Sequence, residues 1–210
     1  MLCPSRQGYD APDSDAHRRI DGTDEMASPL GHLLMGGAVG AAFAVESGPR
    51  RSIAAGALAA ILPDLDFLPG ALVGEPARFH HAVTHSVAFV VVAAVIVFGL
   101  TRSHAVRWAV IVGLAYGSHL LLDWITLDDG APIGIPLFWP ISSDAFASPI
   151  PLLPRVPHSA GQLMTLEVLR LGLLELLLFG AVFLLVARRL RRRIAQRLEG
   201  EFPGGDSRIR

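Results

Sequence analysis

A chain of 210 residues that is 51% hydrophobic, with a mean hydropathy of +0.46, has the length of one domain and is too apolar for an ordinary soluble one. The formal net charge of −1 conceals an asymmetry, with acids prevailing in residues 1–25 and six arginines between positions 188 and 197; it orients a membrane protein and gives no sign of direct nucleic-acid binding. A single cysteine, Cys3, excludes an intrachain disulfide and a thiolate metal cluster.

Residues 1–25 have no helical period and are rich in Asp, Ser, Gly and Pro, so a disordered acidic tail is expected there, with Met26 as an alternative start. No apolar stretch follows Cys3, so neither a lipoprotein nor a cleaved secretory signal is expected. Residues 26–188 then read as a membrane-embedded helical domain and 189–210 as a basic cytoplasmic tail. The fold class expected is all-α: a polytopic membrane helix bundle of four to five transmembrane helices with a proline-rich interfacial loop.

A helix needs about 20 residues to cross about 30 Å of hydrocarbon. Residues 82–100, 105–125 and 164–187 meet that length. Residues 29–45 are short, and 52–62 run into Pro63 and Asp64 before they can cross, so this second segment either spans with its acids below the headgroups or is re-entrant. Arginine positions set the orientation: Arg50 and Arg51, Arg102 and Arg107, and the run at 188–197 share one side if five segments cross, and that side is cytoplasmic. Arg78 is the one exception.

The polar residues fall on the other side. His32 opens the first segment, Asp64 and Asp66 close the second, His80, His81 and His85 open the third, and His119 and Asp123 close the fourth. An up-and-down path brings these four ends into one layer. His119 and Asp123 are four residues apart, about 40° on a helix, so both can meet one ion; His81 and His85 have the same spacing. Neutral imidazoles and carboxylates are ligands of zinc, manganese and iron, and a catalytic site keeps one position open for water. Each element has a plainer alternative. His32 can be an interfacial or capping residue, Asp64 can cap the turn after Pro63, and His80 and His81 can be solvated. His119 and Asp123 can hydrogen-bond each other without metal. Thr84 and Ser86 flank His85 and can orient its ring.

Three further features are notable. Glu175 lies in the middle of the last apolar segment, where an acid marks either a proton path or a polar packing contact, the second being favoured. Gly36/Gly40 and Gly113/Gly117 have the spacing of close helix crossings. The connection over 126–162 is long and proline-rich, with Phe138-Trp139-Pro140 suited to the headgroup layer, and reads as an interfacial lid over the site. His158 is too isolated to assign.

Five short segments in order carry a family resemblance: Gly31-His32-Leu33-Leu34, Leu62-Pro63-Asp64-Leu65-Asp66, His80-His81-Ala82-Val83-Thr84-His85-Ser86, Ser118-His119-Leu120-Leu121-Leu122-Asp123 and Pro136-Leu137-Phe138-Trp139-Pro140. From about residue 26 to 154 the chain resembles the LexA-binding, inner-membrane-associated metal-dependent hydrolases. In that family the third motif carries Arg and Gly where His81 and Ala82 stand here, so no role is carried to position 81, whereas His80 and His85 match. The resemblance implies a multi-pass protein of the bacterial inner membrane with a hydrolase site and a LexA-like regulator as partner.

The expected ligands are His32, Asp66, His80, His85, His119 and Asp123, around a divalent metal, zinc before manganese or iron, with Asp64 as a catalytic base or supporting group. The substrate expected is an ester or phosphoester of a lipid or envelope component. The alternative is a non-catalytic membrane protein that binds a regulator and uses the polar layer structurally. No Gly-x-Ser-x-Gly elbow, His-Glu-x-x-His helix or phosphate loop is present.

Overall fold

The structure is a computed structural model and describes residues 25–26, 28–44, 48–74, 81–127, 133–154, 156–157 and 165–201. The expected tail at 1–25 lies almost wholly outside these residues, as do Arg78, His80 and His158. Among the described residues the fold is helical apart from a two-residue antiparallel pair, β1 (Glu25–Met26) with β2 (Val156–Pro157), and isolated bridges.

Six helices follow one another: α1 (Pro29–Ala42), α2 (Pro49–Ala59), α3 (Phe67–Leu72), α4 (Val87–Leu100), α5 (Ala105–Ile125) and α6 (Leu166–Glu201). Helix α1 starts where Ser28 caps the Gly31 N–H and Pro29, which has no N–H to leave unpaired, takes the first position. Pro49 takes the first position of α2 likewise, after Gly48, which offers no side-chain cap. After α2 the chain tightens into a 3-10 turn, Pro63–Asp66, and bends by 44° into α3.

Small residues let α1 and α2 touch backbone to backbone. A Cβ on Gly36 would stand 2.3 Å from the Gly56 carbonyl oxygen, one on Gly40 2.2 Å from that of Ser52, and one on Gly56 2.2 Å from that of Gly36. The order of these contacts makes the two helices antiparallel. Ala59 and Ala60 then pack on Ala115 of α5, so α1, α2 and α5 form the tight centre of the bundle. The Gly113/Gly117 pair is different: a Cβ on Gly113 would lie 3.3 Å from Ala94, but one on Gly117 meets ordinary contact at 4.0 Å, so only the first is a close crossing. Helix α6 runs parallel to α1, with Phe179 beside Gly31 and Phe183 beside Gly37.

Among the described residues two helices are long and apolar enough to cross a membrane: α5, and α6 through Leu166–Arg197; the bent pair Pro49–Ala59 and Pro63–Leu72 makes a third if it counts as one span. Helix length therefore supports two to three crossings where four to five were expected. The shortfall has a local cause at 82–100. Val83–His85 form a 3-10 turn and Ser86 is extended, so α4 starts at Val87 and has only 14 residues. No residue of α4 is buried, and valines 87, 91, 92 and 95 and many leucines of α6 face outward, as a lipid-facing surface requires.

The bundle is polar along its length. Arg107 donates to the Ala44 carbonyl just beyond α1 at 3.4 Å, and Arg50 and Arg51 open α2 at that same end. At the other end the described loop over 133–154 clasps the close of α5. Ser148 N–H donates to the Trp124 carbonyl at 2.8 Å and Leu152 N–H to that of Ile125 at 2.8 Å, two acceptors that a helix C-terminus leaves unpaired. Leu137 accepts from the Val87 N–H at 2.9 Å, and Ile135 and Leu137 pack with Tyr116 and Leu120. Phe138 and Ile141 stay exposed at this end.

Candidate metal centre

The histidines and aspartates meet at the end away from the arginines, each brought by a different break in the helical path. His32 lies in the first turn of α1, Asp64 and Asp66 in the turn after α2, His85 in the turn before α4, and His119 with Asp123 in the last two turns of α5. His32, His85 and His119 are fully buried.

Two tautomers follow from the partners of the outer ring nitrogens. His119 Nδ1 lies 2.7 Å from the Ala60 carbonyl, which can only accept, so Nδ1 carries the proton. That carbonyl stands open because Pro63 has no N–H with which to close a turn onto it. His85 Nδ1 lies 3.1 Å from Asp66 Oδ2 and 3.3 Å from Thr84 Oγ1, whose own proton goes to Asp66 at 2.7 Å. Both neighbours accept, so this Nδ1 is also protonated. In the neutral imidazoles each Nε2 then presents a lone pair, and the two stand 3.1 Å apart.

Two carboxylate oxygens complete the inner set. Asp64 Oδ1 lies 3.3 Å from His119 Nε2 and 3.7 Å from His85 Nε2; Asp123 Oδ2 lies 2.9 Å and 3.7 Å from the same atoms. Neither oxygen has a hydrogen-bond partner among the described residues, despite those distances. His32 adds Nε2, 3.3 Å from Asp123 Oδ1, and its ring lies over that of His119 with centroids 3.9 Å apart. Four donors at about 2.0–2.1 Å from one zinc would be about 3.3–3.4 Å from each other. The five separations above scatter about that edge, as donors around one ion would. Asp64 is the most exposed of these side chains, at 15% against 2% for Asp123 and none for the three imidazoles, although its Oδ1 is itself buried.

Of the expected ligands, His32, His85, His119 and Asp123 come together here, and His80 lies outside the described residues. The two carboxylates of the Asp64-Leu65-Asp66 turn exchange positions relative to expectation. Asp64 faces the inner nitrogens, whereas Asp66 Oδ2 receives the Ala82 N–H at 3.2 Å and the Thr84 hydroxyl and stands behind His85. Asp64 therefore is no cap, and Asp66 holds another residue in place. Complete burial rules out an interfacial role for His32. Ser86 gives its hydroxyl to the Val83 carbonyl and does not orient His85; Thr84 does, and Tyr116 fixes Thr84 by donating to its carbonyl at 2.7 Å.

The family pattern carries no role to position 81, yet His81 joins the cluster. Its backbone is left-handed at φ 55, and its ring meets that of His85 edge-on at 4.9 Å. The spacing of four to His85 pointed to one helical face; a turn brings the rings together instead. Donor atoms of His32, Asp64 and His119 lie within 4.8 Å of one another, as do those of His81, His85 and Asp123. Glu175 lies apart from the cluster: 2% exposed, it accepts from the N–H of Ser28 at 3.1 Å and from its hydroxyl, joining α6 to the cap of α1.

The family model of YdjM inner membrane protein matches residues 26–195, which include every residue of this cluster. The chain belongs to that family and is a bacterial inner membrane protein. No curated protein and no solved structure matches it.

Proposed function

We propose that this member of the YdjM inner membrane protein family is a metal-dependent hydrolase, acting on an ester or phosphoester presented at the membrane surface. The observation that carries the reading is the pair of Nε2 atoms of His85 and His119, 3.1 Å apart, with each Nδ1 already donating elsewhere. Two lone pairs at that distance repel. A proton on one ring would close an N–H···N bond between them, but it leaves the oxygens of Asp64 and Asp123 beside them buried without a partner. Both Nε2 atoms and the oxygens of Asp64 and Asp123 would together hold a divalent cation, which would take up the lone pairs and offset the cost of burying two carboxylates. Imidazole with carboxylate favours zinc, with manganese or iron as substitutes.

Bound there, such an ion supplies a Lewis acid and a water that ionises near neutrality. The chain's own groups do the rest. Ala60 and Asp66 hold the imidazoles in one tautomer, and the buried wall of α1, α2 and α5 excludes bulk water. The attacking water would enter beside Asp64, the most exposed of the four side chains, and pass its proton to the Asp64 oxygen that does not hold the ion. The water oxygen bonds to the acyl or phosphoryl centre, the ester bond breaks, and that proton passes to the leaving oxygen.

In this reading the arginine end is cytoplasmic and the cluster faces the outer side, where Phe138 and Ile141 of the loop sit among headgroups and the substrate is a lipid or envelope component. Helices α1 and α4, each roughly 21 Å long at 1.5 Å per residue, cross as well with their polar ends drawn below the headgroups, which gives the four to five crossings. A LexA-like regulator would meet the opposite, arginine-rich end.

The test is metal analysis of the purified protein, with hydrolysis of detergent-solubilised ester and phosphoester probes before and after chelation. Turnover that is lost with the metal, restored by zinc and absent from His119→Ala and Asp123→Ala is expected. Bound metal without turnover favours the regulator-binding alternative, and protein isolated without metal under chelator-free conditions overturns the reading.

A further inference from the structure

We infer that the centre takes two divalent ions bridged by Asp123, and that its substrate is accordingly an anionic phosphoester; this rests on the metal reading above. The starting point is a surplus of donors. One tetrahedral ion uses His85, His119, Asp64 and one oxygen of Asp123. That leaves His32, buried completely, with neither ring nitrogen hydrogen-bonded among the described residues. An imidazole in that state has lost its water without replacement, which costs free energy unless something else is bound.

What His32 faces is specific. Its Nε2 lies 3.3 Å from Asp123 Oδ1, while Oδ2 of the same carboxylate lies 2.9 Å from His119 Nε2. Oδ1 is likewise buried without a hydrogen-bond partner. A carboxylate that offers its two oxygens to two separate groups of nitrogen donors is arranged as a bridge. The donors are also more than one ion takes: those of His32, Asp64 and His119 lie within 4.8 Å of one another, as do those of His81, His85 and Asp123.

Charge points the same way. Asp64, Asp66 and Asp123 bring three negative charges to the cluster. One divalent ion leaves a net negative charge that repels an anion, whereas two leave a net positive charge that a phosphoester neutralises. Two ions held close also clamp both the attacking and leaving oxygens of a phosphoryl transfer. Carboxylic esters need no such pair.

The experiment is native mass spectrometry and elemental analysis of the full chain in detergent, loaded with zinc or with manganese. Two ions per chain in the wild type are expected, falling to one in His32→Ala. The manganese form should give an exchange-coupled paramagnetic spectrum, which does not depend on any variant folding. Inorganic phosphate, used as the probe, should raise the melting temperature of the two-ion wild type and leave that of His32→Ala unchanged. One ion per chain in the wild type overturns this inference and leaves the metal reading standing; no ion overturns both. Two uncoupled manganese ions overturn the bridge, and a phosphate shift equal in wild type and variant overturns the substrate class.

Discussion

Asp66 Oδ2 stands 3.1 Å from His85 Nδ1, on the side of the imidazole away from the inner donors, while Asp64, two residues earlier, faces those donors. The two carboxylates therefore do different work, and substitution separates them. Asp66→Asn keeps the shape but weakens the acceptor behind the ring, so metal affinity should fall by about 10- to 100-fold with stoichiometry unchanged. Asp64→Asn removes an inner donor and should cost both affinity and turnover. Metal titration of the two variants decides between them, and equal losses of stoichiometry would contradict the assignment.

Metal removal should destabilise the fold, because the ligands come from four separate stretches of chain that an ion ties together. At a free metal concentration of 100 times the dissociation constant the linkage is about 2.7 kcal/mol. Thermal unfolding in detergent, with and without chelator, measures it. Acidification acts in the same direction: protons compete with the ion for the two Nε2 atoms, so affinity should fall from pH 7.5 to pH 5.5. A melting temperature indifferent to both chelator and pH would count against an ion in the native protein.

Much of the centre is legible in the residues alone. Hydropathy fixes where the apolar runs end, and histidines and aspartates sit at those ends; the spacing of four between His119 and Asp123 survives because α5 is a regular helix there. Where the backbone departs from a helix the reading loses its footing. Which of Asp64 and Asp66 turns inward is decided by a 3-10 turn, and His81 reaches the cluster through a left-handed residue. A second 3-10 turn, Val83–His85, removes residues from the segment read as 82–100. Partners far apart in the chain are equally hidden. Gly36 and Gly40 announce a close crossing, but nothing in them names Gly56, and Glu175 gives no hint of Ser28, 147 positions away.

The glycine crossing gives a contrast within one protein. A methyl group at Gly36 would sit 2.3 Å from the Gly56 carbonyl oxygen and 2.4 Å from the Ala60 Cβ, so backbone must move. Gly36→Ala should therefore destabilise by roughly 1–3 kcal/mol or more, and it should weaken metal binding too, since Ala60 holds His119. Gly117→Ala has room for its methyl group at 4.0 Å and exchanges a poor helix former for a good one, so it should be neutral or stabilising by up to about 1 kcal/mol. Unfolding in detergent ranks the two; the opposite order would mean that α1 and α2 do not pack as described.

Glu175 settles at the junction of α6 and α1, where it accepts from both the N–H and the hydroxyl of Ser28. A carboxylate at that position also faces the positive end of the α1 dipole. Removing it in Glu175→Leu leaves Ser28 without these acceptors and should destabilise by about 1–3 kcal/mol. Glu175→Gln keeps an acceptor for Ser28 and should recover most of that stability, with metal content and turnover close to wild type. A proton path through Glu175 makes the contrary demand: the amide cannot carry a proton at this position, so Glu175→Gln would fold, keep its metal and lose turnover. Comparing melting temperature, metal content and turnover for the two variants distinguishes a structural tie from a proton relay.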